Sequence, residues 1–330
     1  MKDRKNILIY GYFTKDKGNL GDELFKEAFT TLFPNYNLTF TDHIENHHLN
    51  DVSAVFFGGG SFLFGKPNIS NEALVILKNK KIFYIGVGTE TDIHPIHIEL
   101  MRLAKLIAPR SFNKNRNLLD INKNIVAIPD IVSSIKFNIK EEKKKYNSVL
   151  ILPNITIVPT YKDEQWKHIS WEHFKFEFAQ FVDYLVDCKF NVDFFAMCKS
   201  NKLDDYNAAI EIINKMVNRN NYEISIAERN YNSLTNLISK YDLVITQRYH
   251  GIILSEICKV PYINIHHHEK LKNHSPKIGK YISMFECSKH SLIDNFNSII
   301  HTDPYKNMVI DQYSFKELIQ KVSDGMLDGE

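Results

Sequence analysis

Short uninterrupted apolar runs recur along the chain, most of them ending in a glycine, proline or arginine. Residues 6–12 (NILIYGY), 52–57 (VSAVFF), 81–85 (KIFYI), 106–108 and 125–128 predict strands in the first half. Their apolar residues are continuous rather than alternating, which is the mark of strands covered on both faces, hence of a parallel sheet between helical layers. Residues 22–32 carry a helical period between the first two. The charged stretch 140–145 (KEEKKK) interrupts the rhythm and reads equally as a linker or as a solvated helix end. Beyond it, strands are predicted over 148–152, 191–196, 223–226, 243–246 and 262–265, with helices over 173–188, 203–217, 231–240 and 250–258. With 330 residues the chain exceeds what one hydrophobic core usually serves. The expected class is therefore α/β, with two Rossmann-like domains facing across a cleft, residues 1–140 and 146–330. A last helix over 314–324 could return to the first domain.

Sheets of this kind bind ligands beyond the carboxyl ends of their strands, at the loops that follow. Three such loops in the first half are rich in glycine: Gly18-Asn19-Leu20-Gly21-Asp22, Gly58-Gly59-Gly60-Ser61 and Gly86-Val87-Gly88. Glycines there let a backbone approach a ligand, and a helix N-terminus offers N–H groups to an anion. The competing reading is structural, with Asp22 as a helix cap and the glycines serving turns. Three glycines after a buried strand have no evident packing use. Arg110, after Pro109, suits a carboxylate or phosphate, though alone such a residue is more often an ordinary surface arginine. The most informative segment is residues 242–251 (DLVITQRYHG), an apolar strand running into Arg248, His250 and Gly251. An arginine there can pair with an anion, and histidine is the side chain suited to move a proton near neutral pH. The aromatic group Trp166, His168, Trp171, His173 and Phe174 is either a helix face packed in a core or a platform for a sugar.

Bulk properties narrow the classes. Apolar residues make up 44% and charged residues 24%, with a formal charge of +2, so no nucleic-acid footprint is expected. The four cysteines lack CxxC spacing and read as reduced and buried, in keeping with a cytoplasmic protein. No run is long and apolar enough to span a bilayer, although peripheral attachment at a membrane surface stays compatible with the sequence. A GxGxxG fingerprint, a P-loop, a GxSxG elbow and HExxH are all missing. The run His266-His267-His268 alternates in direction along an extended chain, so no metal is expected there.

Taken together the motifs resemble those of the polysaccharide pyruvyl transferase family. Residues 19–23 (NLGDE) are similar to its first glycine loop, residues 58–61 (GGGS) to its second and residues 86–88 (GVG) to its third. Arg110-Ser111 and Pro129-Asp130 match its Arg-Ser and Pro-Asp turns, and residues 242–251 with Pro261 and Lys270 match the series of its second half. Tyr249 stands where the family usually has leucine, Gln247 where it has a small residue, and residues 266–269 replace a tyrosine-containing stretch. The resemblance implies a glycosyltransferase-B-like fold, phosphoenolpyruvate as co-substrate with no further cofactor, and a sugar or lipid-linked glycan as acceptor. The product would be a pyruvate ketal. His250 would be the general acid beside Arg248; Arg110, Arg248, His250, Gly251 and Lys270 would hold the donor on the second domain. Asn19, Gly21, Asp22, Gly59, Gly60 and Gly88 would line the acceptor side. The rival readings are a nucleotide-sugar glycosyltransferase, for which Glu228 and Glu256 are the acidic candidates, and a non-catalytic glycan- or phosphate-binding homologue.

Overall fold

The structure, a computed structural model, describes residues 4–11, 19–89, 92–110, 118–135, 146–154, 164–198, 204–218, 224–225, 231–266, 271, 278–301 and 315–327. It divides into two units. The first comprises Met1–Lys15, Asp22–Ile135 and Ile310–Glu330, and the second Asp16–Gly21 and Lys136–Val309. Neither unit is one continuous span, unlike the division drawn from the charged stretch 140–145, which itself lies outside the described residues.

In the first unit, β1 (Asn6–Tyr10), β2 (Asn37–Thr41), β3 (Ala54–Gly60), β4 (Lys81–Val87) and β5 (Leu106–Pro109) form a parallel sheet in the order β2-β1-β3-β4-β5. The helices are α1 (Leu20–Leu32), whose first two residues belong to the second unit, then α2 (Asn71–Leu77), α3 (Pro95–Leu103) and the single turn α4 (Leu118–Ile121). β3 is buried along its whole length, as its unbroken apolar run requires. β2 alternates between exposed and half-buried positions because it is an edge strand, which is why no apolar run announced it. Residues 125–128 form no strand; Ile125 alone bridges to Ile107.

In the second unit, β6 (Ser148–Leu152), β7 (Asn191–Phe195), β8 (Ile224–Ser225), β9 (Leu243–Thr246), β10 (Tyr262–His266) and β11 (Gly279–Ser283) form a parallel sheet in the order β11-β10-β9-β6-β7-β8. Read from the β8 edge this is the 3-2-1-4-5-6 order of dinucleotide-binding sheets, whose direction of winding reverses between β6 and β9. The helices are α5 (Glu164–Asp187), α6 (Asp205–Ile213), α7 (Tyr231–Ile238), α8 (Tyr249–Ile257) and α9 (Lys289–Ile300). α5 points Trp171, Phe174, Phe178, Phe181 and Leu185 into a core shared with Phe194, Ile245 and Phe296. Trp171 and Phe174 thus pack a helix face, as the structural reading of the aromatic group expected, while His168 and His173 are exposed. Cys198, Cys258 and Cys287 are buried as expected; Cys188 is exposed, and none of the four is in a disulfide.

The last helix, α10 (Lys316–Leu327), packs on β4 and β5 of the first unit. Leu318, Val322, Gly325 and Met326 recur at helical spacing on its buried face. Gly325 lies on Phe83, where an added Cβ would stand 3.0 Å from the ring, and Lys81 Nζ donates to the Met326 carbonyl at 2.6 Å.

A histidine not singled out in the sequence sits in the first core. His97 of α3 is 0% exposed, and its ring meets those of Phe57, Phe62 and Tyr84 at centroid distances of 5.9, 5.6 and 6.1 Å. Its Nδ1 lies 3.2 Å from the Tyr84 hydroxyl. Burial, with a smaller contribution from His94, pushes its pKa down from 6.5 to about 4. The unfolded chain therefore takes up a proton at residue 97 below pH 6.5, whereas the folded chain does so only near pH 4. Stability falls as pH drops through that window, by about 3 kcal/mol for this residue. Urea unfolding of His97→Phe should show a flatter dependence between pH 6.5 and 4 than the wild-type chain; an equal slope in both would contradict it.

Candidate functional site

In the second unit the chain leaves β9 beside the end of β6, at the point where the winding reverses. Leu152 is in register with Thr246, and the Gln247 N–H donates to the Leu152 carbonyl at 3.0 Å. The buried Gln247 carboxamide accepts from the Asn154 N–H at 3.1 Å, so this residue ties the two strand exits together. Thr246 Oγ1 accepts the Arg248 N–H at 2.9 Å and sets the turn into α8, with Arg248 at the N-cap. α8 then lies directly on the strand ends. A Cβ at Gly251 would stand 2.3 Å from Thr246 Oγ1 and 2.7 Å from Leu152 Cδ1, so only glycine fits. The close approach Gly251 permits is between helix and sheet.

Arg248 is side-on to Asp205, the first residue of α6. Arg248 Nε donates to Asp205 Oδ2 at 2.9 Å and Nη2 donates to Oδ1. Asp205 is wholly buried, whereas the Arg248 side chain keeps 12% exposure. Among the described residues Arg248 Nη1 has no hydrogen-bond partner, so Asp205 engages only one side of the guanidinium. Burial pushes the Asp205 carboxyl above its ordinary value, against the pull of Arg248 and of two backbone N–H groups. Oδ2 also accepts the Cys198 N–H at 2.9 Å, at the exit of β7.

All of the first glycine loop except Asp22 belongs to this unit. Asn19 forms an antiparallel bridge with Cys198, and the Leu20 N–H donates to the Met197 carbonyl at 3.0 Å. Asn19 Oδ1 accepts the Gly21 N–H at 3.1 Å. Gly21 faces His250 so closely that a Cβ there would come within 2.0 Å of Nδ1. His250 is only 7% exposed. Asn19, Gly21, Asp205, Arg248 and His250 thus form one connected group around the exits of β7 and β9.

The first-unit candidates are placed differently. Gly58, Gly59 and Gly60 are the last residues of β3 rather than a loop, paired along β4 with Gly60 opposite Val87. They do have a packing use: a Cβ at Gly58 would stand 2.3 Å from Phe29 Cζ, and one at Gly59 2.6 Å from Phe25 Cγ. Gly59 and Gly60 also have φ of 77° and 96°, open to glycine at little cost. The Gly88 N–H donates to the Gly60 carbonyl at 3.0 Å. Asp22, in the first turn of α1, lies near Gly60: a Cβ there would be 3.6 Å from Asp22 Oδ1. Arg110 is neither a surface residue nor an open anchor. Its Nη1 donates to Asp130 at 2.9 Å and its Nη2 to Ser61 at 2.7 Å, with both charged side chains at 0% exposure. In this packing it braces the end of β3 against the Pro-Asp turn. Gly18, Ser111, Glu228, Lys270, His267 and His268 lie outside the described residues.

Asp205 is the site residue that sequence reading missed. Its signal was the pair Asp204-Asp205 at the start of a helix following a strand: Asp204 caps the helix by accepting the Tyr206 and Asn207 N–H groups, which leaves the second carboxylate for another partner.

A family model described as Polysaccharide pyruvyl transferase matches residues 19–269. No curated protein matches the chain in sequence. Among solved structures, S. aureus MnaA in its UDP co-structure is similar with a TM-score of 0.58 at 10% identity, over 97% of this chain and 95% of that one. UDP-GlcNAc 2-epimerase from Neisseria meningitidis, bound to UDP-GlcNAc, gives a TM-score of 0.56 at 11% identity, over 98% and 99% of the two chains. The enzyme of the same name from Methanocaldococcus jannaschii gives 0.54 at 9% identity, over 98% and 100%. At such identities the likeness speaks for the fold alone, which is glycosyltransferase-B-like. On that fold, and with its family's motifs over most of its length, the chain belongs to the polysaccharide pyruvyl transferase family.

Proposed function

We propose that this chain transfers a pyruvyl group from phosphoenolpyruvate to two hydroxyls of a sugar in a cell-surface glycan or its lipid-linked precursor, forming a ketal, with no nucleotide cofactor and no metal. The observation that carries the reading is the half-engaged guanidinium of Arg248, one residue from the start of α8 and two from His250, where the winding of the sheet reverses. Phosphoenolpyruvate brings a phosphate and a carboxylate, and the unbonded fork of an arginine at a helix N-terminus suits either. His250 protonates the enol methylene, which becomes a methyl group and leaves an oxocarbenium-like carbon. The first sugar hydroxyl adds to that carbon and loses its proton. Phosphate departs with its bridging oxygen, and the second hydroxyl closes the ring, releasing the last proton. Asn19 and Gly21, beside His250, line the acceptor side of the same group. Lys270 is the further cation for the donor. Arg110 serves indirectly, by holding the end of β3.

A nucleotide-sugar reaction has less support. Glu256 lies in the last turn of α8 and accepts from the hydroxyl of Tyr262, the first residue of β10, so it sits at the opposite edge of the sheet from Arg248. The direct experiment incubates the protein with phosphoenolpyruvate and a panel of glycosides and follows the acceptor mass. A pyruvyl increment that disappears without phosphoenolpyruvate is expected. Arg248→Ala should weaken phosphoenolpyruvate binding about tenfold or more by calorimetry. Unaltered affinity, or heat protection by UDP and not by phosphoenolpyruvate, would refute the reading.

A further inference from the structure

We infer that Asp205 is a positioning residue of the anion site, holding Arg248 so that its Nη1 fork addresses the ligand. The inference rests on the reading of Arg248 as an anion anchor and adds the residue that gives the anchor its direction. An arginine has several rotatable bonds, and fixing them on binding costs affinity; a side chain already held loses less. Here the carboxylate takes the Nε–Nη2 edge, which leaves Nη1 unspent.

Asp205 is itself immobilised. It is 0% exposed, its own N–H donates to the Cys198 carbonyl at 2.9 Å, and its Oδ2 receives the Cys198 N–H at 2.9 Å. The neighbouring Asp204 caps α6, which fixes the helix that carries the carboxylate. The same Cys198 bridges Asn19, so one carboxylate couples the direction of Arg248 to the strand exit that holds the Asn19–Gly21 segment against His250. Asparagine cannot replace it. One oxygen could still accept from Arg248 Nε and the Cys198 N–H, but the amide NH2 would then oppose Nη2, donor to donor.

A carboxylate beside an arginine also neutralises it, and that role makes the contrary prediction. If Asp205 were only a counter-charge, its removal would tighten anion binding. If it directs the guanidinium, removal weakens binding.

The test is calorimetric titration of the full chain with inorganic phosphate, alongside thermal melting. Asp205→Asn should bind phosphate about tenfold more weakly than the wild-type chain. Arg248→Lys keeps the charge and cannot make the side-on pair; it should weaken binding to the same degree, and it carries the test if Asp205→Asn does not fold. In Arg248→Ala, millimolar guanidinium should restore phosphate binding by seating on Asp205, whereas methylammonium, with no fork, should not. Phosphate binding by Asp205→Asn or Arg248→Lys that equals or exceeds the wild type, or equal rescue by both cations, overturns the inference. A wild-type chain that binds phosphate but transfers no pyruvyl group would sink the proposed reaction and leave this role standing. A wild-type chain that binds no phosphate removes anchor and brace together.

Discussion

His250→Ala is expected to lower pyruvyl transfer by about 10²- to 10⁴-fold, the contribution of a positioned general acid, with phosphoenolpyruvate binding largely intact. The expectation follows from a division of labour over three residues. Arg248 supplies charge that attracts the donor in ground and transition states alike, while a proton donor matters only once the methylene carbon begins to take its proton. The ring of His250 is nearly buried against Gly21, so its removal opens a gap as well as deleting an acid. His250→Gln, which fills more of that gap, separates the two effects: both variants should be equally inactive even if their melting temperatures differ. Turnover in His250→Gln within a few-fold of the wild type, in a well-folded protein, would take the residue out of the mechanism.

The largest expected change in stability comes from Asp130→Ala. Arg110 and Asp130 form a charge pair with both side chains at 0% exposure, and removing the carboxylate strands a guanidinium that water cannot reach. Breaking such a pair costs about 3–5 kcal/mol, well beyond what the attraction itself contributes, because the surviving charge has lost its compensation. Asp130 also accepts the Val132 N–H at 3.0 Å, as the cap of a short 3₁₀ turn, which adds about 1 kcal/mol. A double variant with apolar side chains at both positions, Arg110→Met with Asp130→Leu, should recover most of the loss. Chemical denaturation reads both. A change below about 1 kcal/mol for Asp130→Ala would show that the pair is not the brace of β3 described above.

The central strands were legible because burial on both faces writes a continuous apolar run: residues 148–152 and 243–246 coincide with β6 and β9. β2 and β11 escaped for the converse reason, being edge strands whose exposed positions carry polar residues. The segment from Arg248 to Gly251 was readable since its residue types are unusual at a strand exit. What Arg248 faces was not, because Asp205 lies 43 positions away and only the fold brings them together. Glycines proved the least readable. Gly58, Gly59 and Gly251 suggested ligand approach, yet each fits against Phe29, Phe25 or Thr246, and the sequence holds no sign of which bulky neighbour will arrive. Arg110 shows the same limit for charge, since a buried and an exposed arginine look alike until Asp130 is found beside it.

The placement of α10 bears on how the protein is made. The strands it covers, β4 and β5, leave the ribosome more than two hundred residues before the helix does. Until synthesis passes residue 327, the flank of Phe83 waits without its cover while the whole second unit emerges. The domain begun first is thus completed last, and a fragment cut in the 140s would carry a permanently open flank unless the helix were supplied in trans.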